Sequence, residues 1–518
     1  MAKKRYRAYD PRARVELPGD LRQYVPSDHQ VFLIEDLVET LDLTPITSVY
    51  EQGDGRGQPP YHPVLLSKLL LYAYCAGETS SRTIGRKTYE DIAYRVLCVD
   101  QHPDFRTISD FRERHLVAFQ ALLKDTVRLA KELGQVRLEH VAQDGSKILA
   151  NASKHKAMSY ERMGKTEARL GQEIDALLHQ AREVDAADDA RYGREGTGDD
   201  VPTTLQREVD FRQARRARIR AAKAALEARA AASAAAHQPP TAGQRAGVRL
   251  LTAAPDAPDE RQGALPVAPP SEPPAVLPAP TAQYCFTDPE SRIMPSKDGF
   301  VQAYNGQLAV DHYRQIIVAC DVSDQCNDVR QLQPIADQVR QNTGRLPNEY
   351  SADSGYWSED NVTSLEERGV AVYLPPSRPA RRDQQAASPA PLTPGKARMA
   401  AKLATPEGAK RYSLRKETAE PVFGQVKDGR GLRRFRMRGL AKVRGEWALW
   451  CVTHNLRKLA EVVRDQRRAG SQAGTSRARC RPWTGLQVAW SPLIHGTTPV
   501  SCRESGWSVS PPIIQTGS

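Results

Sequence analysis

The sequence contains few of the features that build cross-links, metal clusters or membrane spans. Its 518 residues include only eight cysteines, none of them in a C-x-x-C pair, so we expect neither a zinc cluster nor a disulfide framework. No apolar run approaches the roughly 18 residues of a membrane span. The basic start of the chain has no apolar segment after it, which argues against a secretory signal. The sequence therefore predicts a cytoplasmic protein with reduced thiols.

Positive charge is what the chain has in excess. The formal net charge is +12, and the lysines and arginines concentrate in particular stretches, which indicates a polyanionic partner. The alternative is a basic protein whose charge serves only solubility. The length allows several domains, or one domain with large insertions.

Apolar residues recur at helical spacing over residues 28–134, after a basic arm at 1–27. These short helices carry many basic side chains, which allow two interpretations: a DNA-recognition helix, or the solvated basic face of an ordinary helical bundle. The side chains in question are Arg82, Arg86, Lys87, Arg95, Arg106, Arg112 and Arg114. We therefore expect an N-terminal all-α domain and a DNA-binding role for it.

Strand and helix patterns alternate after residue 134. A first strand is predicted over 136–144, with Asp144 closing it, and an insertion follows at 155–282. The insertion combines long charged helices with an Ala- and Pro-rich segment that is too poor in apolar residues to bury a core. Further strands are predicted at 300–310, 315–322, 345–353 and 369–375, helices at 328–342, 358–368 and 442–468, and a loop at 376–408. The order predicts a mixed α/β sheet with flanking helices over 135–154 and 283–468.

Three carboxylates suit the cleavage of DNA. Asp144 and Asp353 each follow a strand-like run, and Glu420 precedes Lys427 and a dense basic stretch. Strand ends of an α/β sheet meet at one edge, where ligands bind, and two divalent cations held by carboxylates can stabilise both oxygens of a phosphodiester displacement. Taken singly, each aspartate also fits an ordinary turn. Asp321 and Asp324, which follow the most apolar strand, are alternatives.

Several blocks of the sequence resemble, in the right order, the signature blocks of bacterial insertion-sequence transposases of the DDE type. They start at Asp144 (DGSKILANAS), Thr287 (TDPESR), Gln302 (QAYNGQLAVD), Asp353 (DSGY) and Glu420 (EPVFGQVK). The resemblance spans roughly residues 49–458 outside the insertion, and the region 62–115 is similar to the N-terminal domain that precedes the catalytic core in this group.

The resemblance implies a ribonuclease H-like core in which Asp144, Asp353 and Glu420 bind two Mg²⁺ or Mn²⁺ ions. It implies cleavage at the terminal inverted repeats of the element and joining of the 3′ ends to target DNA, by a homodimer on double-stranded DNA at the bacterial nucleoid. Tyr412, Arg415 and Lys427 match the family's C-terminal signature in type, although the spacing from Arg415 to Glu420 is one residue longer. The further basic residues expected to contact DNA are Arg430, Arg433, Arg434, Arg436 and Arg438. The alternatives are an inactive or domesticated DNA-binding protein of the same fold, and a nuclease without strand transfer.

Residues 469–518 show no helical or strand period and contain half of the six tryptophans. We expect an unstructured tail unrelated to the fold, so that removal of residues after about 475 leaves DNA cleavage intact.

Overall fold

A computed structural model describes residues 19–51, 59–192, 203–237, 277–296, 299–377 and 393–472. The chain divides into two compact units, Met1–Asp465 and Gln466–Ser518. The first unit contains the sheet, and the described residues of the second, 466–472, end a long helix. Parts of the predicted arm, insertion, 376–408 loop and tail lie outside the described residues, at 1–18, 238–276, 378–392 and 473–518.

The N-terminal part of the chain is helical, as the sequence predicts. Its helices are α1 (Gln30–Glu39), α2 (Thr44–Glu51), α3 (Pro63–Cys75), α4 (Ser81–Glu90), α5 (Ile92–Leu97), α6 (Phe105–Arg114) and α7 (Leu116–Glu132). Proline at the first position of α3 and Ser80 before α4 mark two helix starts, because proline lacks only an N–H that is unpaired there and Ser80 Oγ accepts from Thr83 N.

A mixed sheet forms the centre of the molecule. The strands along the chain are β1 (His140–Leu149), β2 (Ala157–Ser159), β3 (Gln283–Cys285), β4 (Arg292–Ser296), β5 (Gly299–Asp311), β6 (Ile316–Ser323), β7 (Glu349–Ser351) and β8 (Ala371–Tyr373). The order in the sheet is β6-β5-β1-β7-β8. β4 pairs with the first residues of β5, on the same edge of β5 as β6. β2 and β3 form a separate pair. β5 is antiparallel to β1 and β6, and β7 and β8 are parallel to β1. This is the predicted mixed α/β sheet, and it is consistent with a ribonuclease H-like core.

The predicted bounds of the first strand are wrong. β1 begins at His140 and pairs with β5 as far as Leu149, so Asp144 lies within the strand and does not close it. The chain before His140 follows another path, because Asp311 accepts the backbone N–H groups of Arg137 and Leu138 and Leu138 has a φ of 56°. A strand partner cannot use N–H groups that a carboxylate already binds.

Helices α8 (Tyr160–Tyr192) and α9 (Thr203–His237) form an antiparallel pair between β2 and β3. Tyr160 Oη donates to Glu227 at 2.6 Å, and Glu167 pairs with Arg220 and Lys223 at 2.7 and 2.9 Å. A small apolar cluster joins the two helices, and it comprises Met163, Leu170, Ile219, Ala222 and Leu226.

The remaining helices pack around the sheet. They are α10 (Leu332–Thr343), α11 (Glu359–Glu367), α12 (Pro394–Ala404), α13 (Pro406–Gly424) and α14 (Leu440–Gln472). Because α12 lies inside the predicted 376–408 loop, that prediction is wrong; Pro394 starts a helix there. The N-terminal helices and the sheet share one hydrophobic cluster, in which the rings of Tyr74 and Trp450 lie 5.2 Å apart. Among the described helices, none combines the length and the apolar character needed to cross a bilayer.

Candidate active site

Asp144 and Asp353 occupy corresponding positions on neighbouring parallel strands. The pairing of β1 and β7 ends at Ala142 and Ser351, which are Cα partners. Asp144 lies two residues beyond Ala142, and Asp353 lies two residues beyond Ser351, where β7 has already ended. Both carboxylates are therefore at the C-terminal edge of the parallel pair, where α/β folds bind ligands.

Two glycines keep the space beside these aspartates narrow. A Cβ atom at Gly145 would meet Gln307 Nε2 at 2.5 Å, and one at Gly355 would meet Asp353 Oδ1 at 3.0 Å. Each glycine N–H also donates to the adjacent carboxylate, at 3.0 Å to Asp144 and 2.9 Å to Asp353. The glycine N–H groups thus orient both acids, and Asp353 at the same time caps the short 3-10 turn Ser354–Tyr356.

Helix α13 carries Glu420, and Pro421 lies inside this helix. Proline cannot donate to the carbonyl four residues earlier, which is that of Glu417. Gln315 Nε2 donates to Glu417 O at 2.9 Å instead. A π-helical turn, Gln425–Gly429, follows the helix. The chain therefore continues past the proline with the released carbonyl satisfied.

Arg415 joins two of the three predicted catalytic carboxylates. Its guanidinium lies 3.6 Å from Asp144 and 3.0 Å from Glu420, and 5.9 Å from the centre of the Tyr412 ring. Glu420 lies five positions after Arg415 in the sequence, and the long side chain of Arg415 spans that distance. Asp144, Tyr412, Arg415 and Glu420 thus form one group, despite the unusual spacing between Arg415 and Glu420.

Lys427 approaches the same face of β1 as Asp144. Its Nζ donates to Ser146 Oγ at 2.9 Å. Ser146 and Asp144 are two residues apart on a strand, so their side chains point to the same face. The ammonium group therefore lies next to the acidic group, where it suits a phosphate oxygen.

The pKa of Asp144 is raised to about 7, mainly by burial; Arg415 opposes this rise, and the neighbouring carboxylates of Asp353 and Glu420 contribute to it. Only 17% of the Asp144 side chain is exposed. Three carboxylates that act on one another in a poorly solvated place favour a cation among them.

The carboxylates of Asp144, Asp353 and Glu420 are chemically suited to a hard divalent cation, because such a cation prefers carboxylate oxygens as ligands. Among the residues that the structure describes, no three His, Cys, Asp or Glu side chains come close enough together to hold one ion. Arg415 lies between Asp144 and Glu420 and supplies the positive charge there. The three carboxylates are of the type that binds a divalent metal ion, and the guanidinium of Arg415 lies between those of Asp144 and Glu420.

A fourth carboxylate, Asp328, lies beside this group; its place in the sequence predicts only a helix start, and it does precede the 3-10 turn Val329–Gln331. Its Oδ1 atom accepts from Asn305 at 2.5 Å and Gln307 at 2.7 Å, and lies 3.5 Å from Lys147 Nζ. Its Oδ2 atom lies 3.4 Å from the Cβ position of Gly355. The signal was present in the Gln302 block, since buried Asn305 and Gln307 have to bond to something.

The basic stretch after Lys427 alternates between buried and exposed side chains. Leu432, Phe435 and Met437 are buried. The exposed side chains between them are Arg433, Arg434, Arg436 and Arg438. Phe435 N donates to Leu149 O at 2.8 Å, so the stretch runs along the end of β1. Its apolar side chains fix the backbone and its arginines form a basic surface.

Arg430 differs from its predicted role in DNA contact. Only 6% of the residue is exposed, and its guanidinium donates to Thr453 Oγ1 at 2.8 Å and to Trp450 O at 3.1 Å. Arg430 thereby ties the π-helical turn to α14, and a guanidinium bound in this way does not face a phosphate.

The alternative aspartates have structural partners. Arg444 lies 2.8 Å from Asp321, and Arg292 lies 2.5 Å from Asp324. In the Thr287 block, Asp288 Oδ1 accepts from Gly439 N and Glu290 Oε2 accepts from Leu440 N. These acids satisfy N–H groups at the start of α14, where the helix dipole favours negative charge.

Comparison with known proteins identifies two domains. The family described as Transposase DDE domain matches residues 380–460, which include Glu420 and Lys427. The family described as Transposase domain (DUF772) matches residues 19–114, which cover α1 to α6. No curated protein and no solved structure matches the chain. Together with the N-terminal helical domain and the mixed α/β core, the two matches support an insertion-sequence transposase of the DDE type.

Proposed function

We propose that this transposase binds the terminal inverted repeats of its insertion sequence, cleaves phosphodiester bonds there and joins the 3′ ends to target DNA. The observation that carries the proposal is the group formed by Asp144, Asp353 and Glu420: Asp353 and Glu420 act electrostatically on Asp144, and Asp144 and Glu420 share the guanidinium of Arg415. A strong concentration of negative charge at a sheet edge, beside a lysine and a basic surface, suits metal-dependent chemistry on DNA.

In this proposal Asp144, Asp353 and Glu420 hold two divalent cations, Mg²⁺ or Mn²⁺. Bound cations would stabilise the attacking and leaving oxygens of the displacement. Arg415 moves from the carboxylates to a phosphate oxygen when the cations bind, and Tyr412 supports its guanidinium. Lys427, held beside Asp144 through Ser146, binds a phosphate near the cleaved bond.

The exposed side chains of Arg433, Arg434, Arg436 and Arg438 bind the DNA backbone farther from the cleaved bond. Arg430 is left out of this set because its guanidinium is buried. Residues 28–134 serve as the DNA-binding domain, 135–154 and 283–468 as the catalytic domain, and 155–282 as an insertion. A homodimer holds the two element ends.

The test uses duplex DNA that carries the element's terminal inverted repeats, with Mg²⁺ or with EDTA. We expect end cleavage by the wild type in Mg²⁺ only, and a loss of at least a hundredfold in Glu420→Gln. The matched control is Glu417→Gln, an exposed glutamate on the same helix, which keeps wild-type cleavage. Unchanged cleavage in Glu420→Gln would refute the proposed site.

The products separate the alternatives. Joined strands support transposition, whereas cut but unjoined ends indicate a nuclease. DNA binding without cleavage in either metal indicates a protein that keeps only the fold.

A further inference from the structure

A second basic site lies between the N-terminal helices and the arginine-rich stretch. It is a cleft of about 440 Å³ whose lining includes Ser81, Arg82, Phe105, Arg106, Arg112 and Arg436. Asp110 is the acid in its lining, so the four arginines give the cleft a positive charge. Arg436 also donates to Thr79 Oγ1 at 2.8 Å, which joins the two parts of the chain.

The arginines of the cleft form no ion pair with a carboxylate, although the buried carboxylate of Glu446 interacts electrostatically with Arg112 and Arg436. Among the described residues, no acid lies within ion-pair distance of Arg82, Arg106, Arg112 or Arg436. Basic residues elsewhere on the same helices are paired: Arg86 with Glu90 at 3.4 Å, Lys87 with Glu78 at 3.0 Å and Arg95 with Asp100 at 2.8 Å. The unpaired positive charge is thus concentrated in the cleft.

Two buried polar groups of the lining also lack partners. Ser81 is 8% exposed and its Oγ atom has no hydrogen-bond partner, and Arg112 is 5% exposed with an unpartnered Nε. Arg112 is fixed in place by Thr79 O at 2.7 Å and Tyr74 Oη at 3.3 Å. A buried donor without an acceptor is costly, and an anionic ligand would satisfy both groups.

The ends of two helices add to this preference for an anion. Ser80 and Ser81 begin α4, and Phe105 and Arg106 begin α6, so both N-termini lie at the cleft. The guanidinium of Arg82 lies 4.9 Å from the centre of the Phe105 ring, and that of Arg106 lies 5.7 Å away, which holds both arginines in position. Backbone N–H groups, serine hydroxyls and guanidinium groups together are the partners that phosphate uses.

We infer that this cleft binds a backbone phosphate of the same DNA whose cleavage is proposed above, and the inference rests on that proposed function. Arg434 lies beside Leu149, five residues along β1 from Asp144, and Arg436 lies two residues farther on in a parallel direction. Five to seven strand residues span about 17–23 Å, which is the length of roughly five to seven nucleotides. One DNA strand therefore reaches from the acidic group to the cleft.

The test measures binding of the full-length protein to a 40-base-pair duplex of arbitrary sequence in EDTA, over a range of salt concentrations. We expect Arg82→Ala and Arg106→Ala each to weaken binding about three- to tenfold and to reduce the salt slope by about one phosphate contact. The control Arg398→Ala removes an exposed arginine of α12 that pairs with Glu366 at 2.6 Å; it removes the same charge outside the cleft lining and keeps the wild-type slope. Arg82→Lys keeps the charge and restores most of the binding if the loss is electrostatic and not structural.

Equal salt slopes for Arg82→Ala, Arg106→Ala and the control Arg398→Ala would overturn the inference. A second result would also overturn it: inorganic phosphate raises the Tm of the wild type but not of Arg82→Ala, while Arg82→Ala binds DNA as the wild type does. The cleft would then bind a free anion and not DNA. The assay contains no metal and measures no cleavage, so neither of these results bears on the proposed catalysis. Absence of DNA binding by the wild type would instead refute the proposed function itself.

Discussion

Arg415 Nη2 lies 3.0 Å from Glu420 Oε1, and its Nη1 atom lies 3.6 Å from Asp144. A divalent cation and this guanidinium compete for the same carboxylates. We expect Arg415→Met to lower the free energy of unfolding in EDTA by about 1–2 kcal/mol, a figure reduced because Glu420 is 46% exposed. Mg²⁺ should then raise the Tm of this variant more than that of the wild type, as measured by differential scanning fluorimetry.

Arg411→Met is the control for this comparison. Arg411 is on the same helix and pairs with Glu407 at 2.7 Å and Glu349 at 3.4 Å, away from the three acids. An equal Mg²⁺-dependent shift in the Arg415 and Arg411 variants would contradict competition at the site.

Gln315 and Pro421 should be energetically coupled. Gln315 Nε2 bonds to the Glu417 carbonyl that Pro421 leaves without a helical donor. We expect Gln315→Ala to destabilise the protein by about 1–2 kcal/mol, because its side chain also accepts from Gln425 and Lys458. In a Pro421→Ala background, where the helix supplies its own donor, the loss should be smaller by about 0.5–1 kcal/mol. Urea unfolding of the four proteins measures this coupling, and strict additivity would refute it.

Glu446 holds the backbone of the arginine-rich stretch. It is 1% exposed, and its carboxylate accepts from Arg436 N and Met437 N at 2.9 Å each. We expect Glu446→Gln to cost about 1–3 kcal/mol, because Arg436 N donates to both carboxylate oxygens and an amide replaces one of these acceptors with a donor. DNA affinity should fall with it, since Arg436 loses its fixed position. The check is urea unfolding together with DNA titration; wild-type stability would contradict this role.

His454 should make the protein sensitive to acid. Burial, the nearby Arg430 and other cationic groups lower the pKa of His454 to about 3, although its ring Nε2 bonds to Gln315 O. In the unfolded chain the imidazole titrates near 6.5. Between about pH 6.5 and 3 the unfolded state therefore binds a proton that the folded state excludes, so stability falls as the pH falls through this range.

The slope of this loss is at most about 1.4 kcal/mol per pH unit for one group. We expect His454→Gln, which can still donate to Gln315 O, to flatten the decline in urea midpoint between pH 7 and pH 5. His179→Gln is the control, because that ring is 72% exposed. Identical pH dependence in the wild type and the His454 variant would rule the explanation out.

The sequence predicted the mixed sheet and the two aspartates at one of its edges, because apolar alternation reports which residues face the core. It placed the end of the first strand five residues early. Alternation alone does not reveal that the neighbouring β7 has only three residues. Because this partner strand is short, Asp144 lies within β1 but beyond the end of its pairing with β7.

Two side chains show where local patterns stop being informative. Arg430 and Arg433 belong to one basic run, yet the first is buried against Trp450 and the second is exposed, because the π-helical turn directs Arg430 inward. Asp328 looked like a helix-start residue, but its partners Asn305 and Gln307 come from a strand more than twenty residues away. Contacts of that kind depend on tertiary packing, which one sequence does not encode locally.

The β2–β3 pair bears on how this chain tolerates its insertion. Met158 and Tyr284 are Cα partners at the base of the α8–α9 hairpin, so the two chain ends are held together before the hairpin begins. Loop-closure entropy grows only slowly with length, by about 0.6 kcal/mol for each doubling. The length of the insertion therefore adds little to the cost of pairing β2 with β3, and changes in that length between related elements would leave the strand register of the sheet unaltered.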